Sequence, residues 1–184
     1  RGKDRREKAE NGEDDDANGY VDDGQGWNFV EGNADIADHR GHGTFCTGLI
    51  VADKNNGKGS RGLAPLSRVM PLKIVSDAGA ATTATAVEAI DYAVANGAKI
   101  LSLSWGGRDE DPLLFQALKR ASDRGVLIVA ASGNDAIDND RDFKPTYPAS
   151  YSLPTLLSAA AYDNRDKIAD FSSYGKKTVH LGAP

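Results

Sequence analysis

Apolar and polar positions alternate in a regular way from residue 68 onward. Val69, Met70, Leu72, Ile74 and Val75 mark residues 68–75 as an apolar strand. Residues 83–96 follow with helical spacing: Val87, Ile90, Ala93 and Val94 share one face, and Gly97 supplies a stop. The next strand is expected at 99–104. A second helix starts after Asp111, a capping carboxylate, with Pro112 at its first position. Leu114, Ala117, Leu118 and Ala121 form its apolar face, and Gly125 closes it. The run at 126–131 is continuously apolar, which predicts a strand covered on both faces. Further strands are expected at 155–162 and 178–181.

Strands alternating with helices at these lengths predict a parallel α/β sheet with crossover helices. Ligands on such sheets bind beyond the carboxyl ends of the strands. Ser104 to Gly107 and Ser132 to Asn134 both fall there. Residues 1–32 carry no strand or helix periodicity and read as a loop region ordered only by something bound to it. Residues 33–184 read as the core of one domain, without internal repeats.

Composition narrows the function classes. The 184 residues are 40% hydrophobic and 27% charged, enough for a real core. A formal charge of −5 argues against a nucleic-acid partner. Much of the acidity is concentrated between Glu10 and Asp23, which points to a cation site. The single cysteine, Cys46, excludes an internal disulfide framework. No apolar run has the length of a membrane helix, so no membrane role is expected, and the charged first ten residues do not read as a signal peptide.

Three short motifs carry chemistry. Gly41-His42-Gly43-Thr44 places a histidine at the mouth of an apolar helix over 44–52, where flanking glycines let other backbone approach. The helix N-terminus disfavours an imidazolium and keeps the ring a neutral base. Taken alone, the same residues read as well as a polar loop. His39 lacks the glycine flanks and reads as a solvated loop residue; His180, on the last expected strand, reads as structural. Ala131-Ser132-Gly133-Asn134 follows a buried strand and can present an amide to a developing oxyanion, or be a simple turn. Ser104-Trp105-Gly106-Gly107 offers backbone groups on which an extended peptide can add as a strand, or is a strand-to-loop turn with Trp105 as packing.

Together the three blocks resemble the subtilisin-like serine proteases. Their order and spacing match that family, as do Gly62-Leu63-Ala64-Pro65, Tyr147-Pro148-Ala149-Ser150-Tyr151 and Phe171-Ser172-Ser173-Tyr174-Gly175. The resemblance runs from about residue 14 to 184. It implies a three-layer α/β fold with a mostly parallel central sheet and helices on both faces, incomplete at both ends. It implies His42 as general base and Asn134 as oxyanion donor. Ser104, Trp105 and Gly106 would line the substrate cleft, with Ser132 and Gly133 beside them. Tyr147-Pro148 matches a position that is a cis peptide in the family. Cys46, one turn after His42, resembles the free cysteine of the branch typified by proteinase K; a small buried hydrophobe is the competing reading. Phe45 replaces the commoner histidine. The family's aspartate would lie before the acidic loop and its serine beyond Pro184, so the 184 residues alone are expected to be inactive. Ser172 and Ser173, in a polar turn, are not substitutes.

The acidic loop at 14–23 adds a metal expectation. Asp14, Asp16 and Asn18 stand at positions one, three and five, Gly19 at the sharp turn and Tyr20 at a carbonyl position. Gln25 stands where a calcium loop has its closing glutamate, which leaves Asp22 or Asp23 as last ligand. Calcium would tie down a segment with no core of its own; the competing reading is a solvated acidic loop. The leading expectation is a calcium-stabilised, exported or cell-surface endopeptidase acting on protein or peptide substrates. The alternatives are a catalytically silent peptide-binding relative and a plain calcium-binding module. Apolar surface left by the absent serine helix is expected to be covered by a partner or a second copy.

Overall fold

The computed structural model describes residues 11–184. Positions 1–10, the start of the expected acidic region, lie outside the described residues. The chain divides into two compact units, with the boundary between Ala89 and Ile90.

The first unit contains β1 (Trp27–Asn28), α1 (His42–Val51), β2 (Leu72–Lys73) and the start of α2 (Thr83–Ala95). β1 and β2 run parallel, Trp27 opposite Leu72 and Asn28 opposite Lys73. At two residues β1 is too short to show a sequence period, so the loop expected over this region hid it. Its approach to Pro71 requires Gly26: at φ +130° a Cβ there would run into the Pro71 carbonyl. Asn28 is fully buried and satisfied, its Nδ2 donating to the Asp35 carbonyl and its Oδ1 accepting from the Val30 and Glu31 N–H groups. The strand expected over 68–75 contracts to Leu72–Lys73, because Pro71 has no N–H to give a ladder.

Helix α1 is apolar in sequence but buries none of its residues; Phe45 is 66% exposed. Its C-terminal end is met by the next segment, where Gly62, Leu63 and Ala64 donate their N–H groups to the Ala52, Leu49 and Ile50 carbonyls. In α2 the face differs from the expected one. Ile90 and Ala93 are buried as expected, but they are joined by Ala86, Ala89 and Tyr92, while Val87 and Val94 are half-buried.

The second unit holds a four-stranded parallel sheet in the order β3 (Ile100–Leu103), β4 (Leu127–Ala131), β5 (Leu156–Ala161) and β6 (Leu181–Ala183). α3 (Pro112–Asp123) connects β3 to β4. It starts as its sequence dictates: Asp111 Oδ1 accepts from the Leu113 and Leu114 N–H groups at 2.8 and 3.2 Å. Leu114, Ala117, Leu118 and Ala121 are buried as expected, and burying Leu118 is worth about 1.5–3 kcal/mol. Gly125 follows at φ +75°, a stop no β-branched residue could supply.

β4 is not covered on both faces. Ile128 and Ala130 are buried, Leu127 and Val129 are half-buried and Ala131 is exposed, an alternation that places one face in the core. The last strand is also displaced. Residues 176–178 form a turn, because Asp140 accepts from the Lys177 and Thr178 N–H groups and the Thr178 hydroxyl, and pairing begins at Leu181.

Candidate functional site

His42 is the first residue of α1, exposed, and preceded by Gly41 at φ +79°. Gly41 has no side chain to cap the helix, and Asp38 takes that role. Its Oδ1 accepts from the Arg40 and Gly41 N–H groups, and its Oδ2 from the N–H and hydroxyl of Thr44. These bonds, led by the Thr44 N–H, hold the Asp38 carboxyl well below the usual carboxylate range. The charge sits at the positive end of α1, where an anion is stabilised. Cys46 lies one turn on, its Sγ 3.9 Å from His42 Nε2. His39 faces Asp77 at 3.9 Å on the surface. His180 precedes β6 rather than lying on it, and its Nδ1 accepts from the Ser158 N–H at 3.0 Å.

In the second unit, three segments meet beyond the strand ends. Ser132 is 1% exposed: its Oγ donates to the Ser173 carbonyl at 2.7 Å and its own carbonyl accepts from Asn139 Nδ2 at 2.9 Å. The Gly133 carbonyl accepts from the Ser173 N–H at 2.9 Å, and the Asp135 N–H reaches Ser173 Oγ at 3.3 Å. Asn134, between these tethered groups, is exposed. Its side-chain amide makes no hydrogen bond to another of the described residues.

The second segment, Ser104 to Gly107, leaves β3. Gly107 pairs both ways with Tyr147, at 2.8 Å in each direction. The glycine pair therefore offers less free backbone than its sequence suggests, and Ser104, Trp105 and Gly106 are what remains. Tyr147-Pro148 is cis, and Thr146 before it is buried. Thr146 fills the space that side chains at Gly106 and Gly133 would need, so these two glycines are steric requirements.

Arg108 ties the segment after β3 to the loop before Tyr147 and to Asp135. Its Nε donates to the Lys144 carbonyl, its guanidinium meets Asp142 at 2.6 Å, and Asp135 lies 3.7 Å away. Ser172 and Ser173 are 3% and 0% exposed. Ser172 Oγ accepts from the Ala161 N–H, so neither serine is presented to a substrate.

The acidic loop folds round Asn18 and Gly19. Asp14 accepts from both of their N–H groups, at 3.1 and 2.7 Å, and Asp16 Oδ1 accepts from Asn18 as well. Gly19 turns the chain at φ +95°. Asn18 Nδ2 donates to Asp23 Oδ2 at 2.8 Å, and its Oδ1 accepts from the Tyr20 N–H. The Asp16 Oδ2 and Asp23 Oδ1 atoms are buried in this loop. Asp22 is turned to the Asn11 and Gly12 N–H groups. Among the described residues no three His, Cys, Asp or Glu side chains form a closed metal cluster. The oxygens that the loop brings together belong to the Asp14, Asp16, Asn18 and Asp23 side chains, hard donors of the kind that suits calcium. The loop is anchored by the Tyr20 ring, edge-on to Trp27 at 5.1 Å and Phe29 at 5.9 Å.

Sequence reasoning missed Asp38, Arg108, Asn139 and Thr146. A carboxylate six residues before Thr44 was a legible capping signal; the others act across loops and leave no local pattern.

This chain is similar to known proteases. The model of the subtilase family of S8 peptidases matches residues 5–184. Thermitase of Thermoactinomyces vulgaris is 35% identical over 159 residues, covering 86% of this chain and 54% of that protein. The cell wall-associated protease of Bacillus subtilis (strain 168) is 40% identical over 159 residues, 86% of this chain and 17% of that protein. The chain thus spans about half of thermitase and less of the longer protease. Among solved structures, a cold-adapted subtilisin-like serine proteinase superposes with a TM-score of 0.73 at 28% identity, covering 88% of this chain and 56% of that one. The parallel α/β arrangement described above is the fold of these proteases.

Proposed function

This chain belongs to the subtilase family, and from that premise we propose that the whole protein is a serine endopeptidase that cleaves peptide bonds by acyl transfer. His42 takes the proton of a serine nucleophile and returns it to the leaving amine. Asn134 donates its amide to the tetrahedral intermediate. Ser104, Trp105 and Gly106 align an extended protein or peptide substrate by backbone pairing. Ser132 and Gly133, whose carbonyls are already engaged, contribute the floor beneath it. Ser172 and Ser173 are buried and do not serve as the nucleophile on this reading.

The observation that carries the proposal is the state of Asn134: exposed at the end of β4, with tethered backbone on both sides. A plain turn would not need that support. The test uses the full-length protein and an organophosphorus probe for activated serines, with hydrolysis of an unfolded protein as second readout. The wild type should label and cleave, and H42A should lose at least about a thousandfold of its cleavage rate. Tight peptide binding without cleavage or labelling would replace the enzyme with a silent binder.

Calcium belongs to the same proposal. Asp14, Asp16, Asn18 and the Tyr20 carbonyl would hold it; of the two candidate closing ligands, Asp23 has an oxygen buried in the loop, whereas Asp22 is turned to Asn11 and Gly12. The ion would supply cohesion to a segment with little core, not chemistry. An exported or surface location is supported by similarity to the cell wall-associated protease, and among the described residues no helix is long and apolar enough to cross a membrane. The exposure of Phe45, Leu49 and Leu63 supports a covering partner, a second copy included.

A further inference from the structure

We infer that Asn139 is the positioning residue for the Asn134 amide, an assignment that rests on Asn134 being the oxyanion donor. Asn139 sits in a loop, where an asparagine is ordinarily solvated, yet it is 4% exposed. Burial of an amide is costly unless both ends are bonded, and here both are. Nδ2 donates to the Ser132 carbonyl at 2.9 Å and Oδ1 accepts from the Thr146 N–H at 2.9 Å. The Asn139 N–H itself donates to the Tyr174 carbonyl at 2.7 Å, fixing the residue from a third side.

The two bridged groups belong to different segments, both buried. Ser132 is two residues before Asn134. Thr146 directly precedes Tyr147, which pairs with Gly107. A Cβ on Gly133 would strike Thr146, so the two segments touch there, and the buried amide of Asn139 bonds both. Gly133 stands at φ +109°, a backbone conformation that glycine adopts readily, between Ser132 and Asn134. Asn139 fixes the oxygen of the 132–133 peptide, and Ser173 fixes the next one. Asn139 thereby sets where the Asn134 side chain points without touching substrate itself.

The test is a double-mutant cycle in the full-length protein: wild type, N139A, N139D, N134A and N134A/N139A. N139D retains the acceptor for Thr146 but loses the donor to Ser132. A displacement of about 1 Å in a catalytic group costs about a hundredfold, so N139A and N139D should each lose about tenfold to a hundredfold in kcat with KM within about twofold. In the N134A background, N139A should cost less than about twofold more, because the group it positions is already gone. Three results would overturn the assignment: full additivity of the two losses, wild-type kcat in either single variant, or loss of folded far-ultraviolet dichroism in both. An inactive wild type, or a neutral N134A, would instead remove the oxyanion reading, and this inference with it.

Discussion

Asp38 Oδ2 accepts twice from Thr44, from its backbone N–H and from its hydroxyl, each at 2.8 Å. The pair closes the turn that carries His42. Gly41 provides the left-handed bend but cannot cap, so the cap comes from three residues further back. The turn that carries His42 is thus held by a carboxylate from outside the helix.

Replacing Asp38 with asparagine should lower the thermal midpoint at neutral pH, with the difference shrinking in acid. The sign follows from linkage: a carboxyl depressed in the folded state stabilises fully above its unfolded value of about 3.9 and loses that contribution as pH falls towards its folded value. Wild type and D38N should therefore converge progressively below about pH 4. Melting curves between pH 7 and 2 check this; a constant difference across the range would contradict it.

Gly106 to alanine should strain the cleft. A Cβ there would stand 2.7 Å from the Tyr147 carbonyl oxygen and 3.2 Å from Thr146 Cγ2, both in a packed wall. The backbone must yield, at the expense of the Gly107–Tyr147 pairing. Overpacking of this kind costs about 1–3 kcal/mol, read as a lower denaturant midpoint with unchanged slope. The same change at exposed Gly107, where a Cβ meets nothing within 4 Å, should be far milder.

The acidic loop should respond to calcium. An ion at a hundred times its dissociation constant adds about 2.7 kcal/mol to the stability of the state that binds it. Chelation should therefore lower the thermal midpoint of the wild type, and D16N or D23N should remove the response. Identical melting curves with calcium and with chelator would reject the site.

Much of the fold was legible because its signals are local. The α3 cap at Asp111, its apolar face and the stop at Gly125 each lie within a turn of the residues they organise. The glycine blocks after β3 and β4 were legible as motifs, since glycines after apolar strands mark close backbone approach, as at Gly106 and Gly133. What failed to show was non-local. β1 is two residues long, and its partner is more than forty positions away. The alternation in β4 is masked because exposed and buried positions are alike apolar. Asn139 looks like any loop asparagine until its partners, seven residues to either side, are known.

The sharpest single measurement is kcat for N134A against wild type in the full-length protein, on a short peptide substrate at saturation. Removing one oxyanion donor in a subtilisin costs about a hundred- to a thousandfold in kcat, and the same loss with KM nearly unchanged is expected here. A kcat within about twofold of wild type would contradict the account, because the amide at the end of β4 would then be an ordinary turn residue.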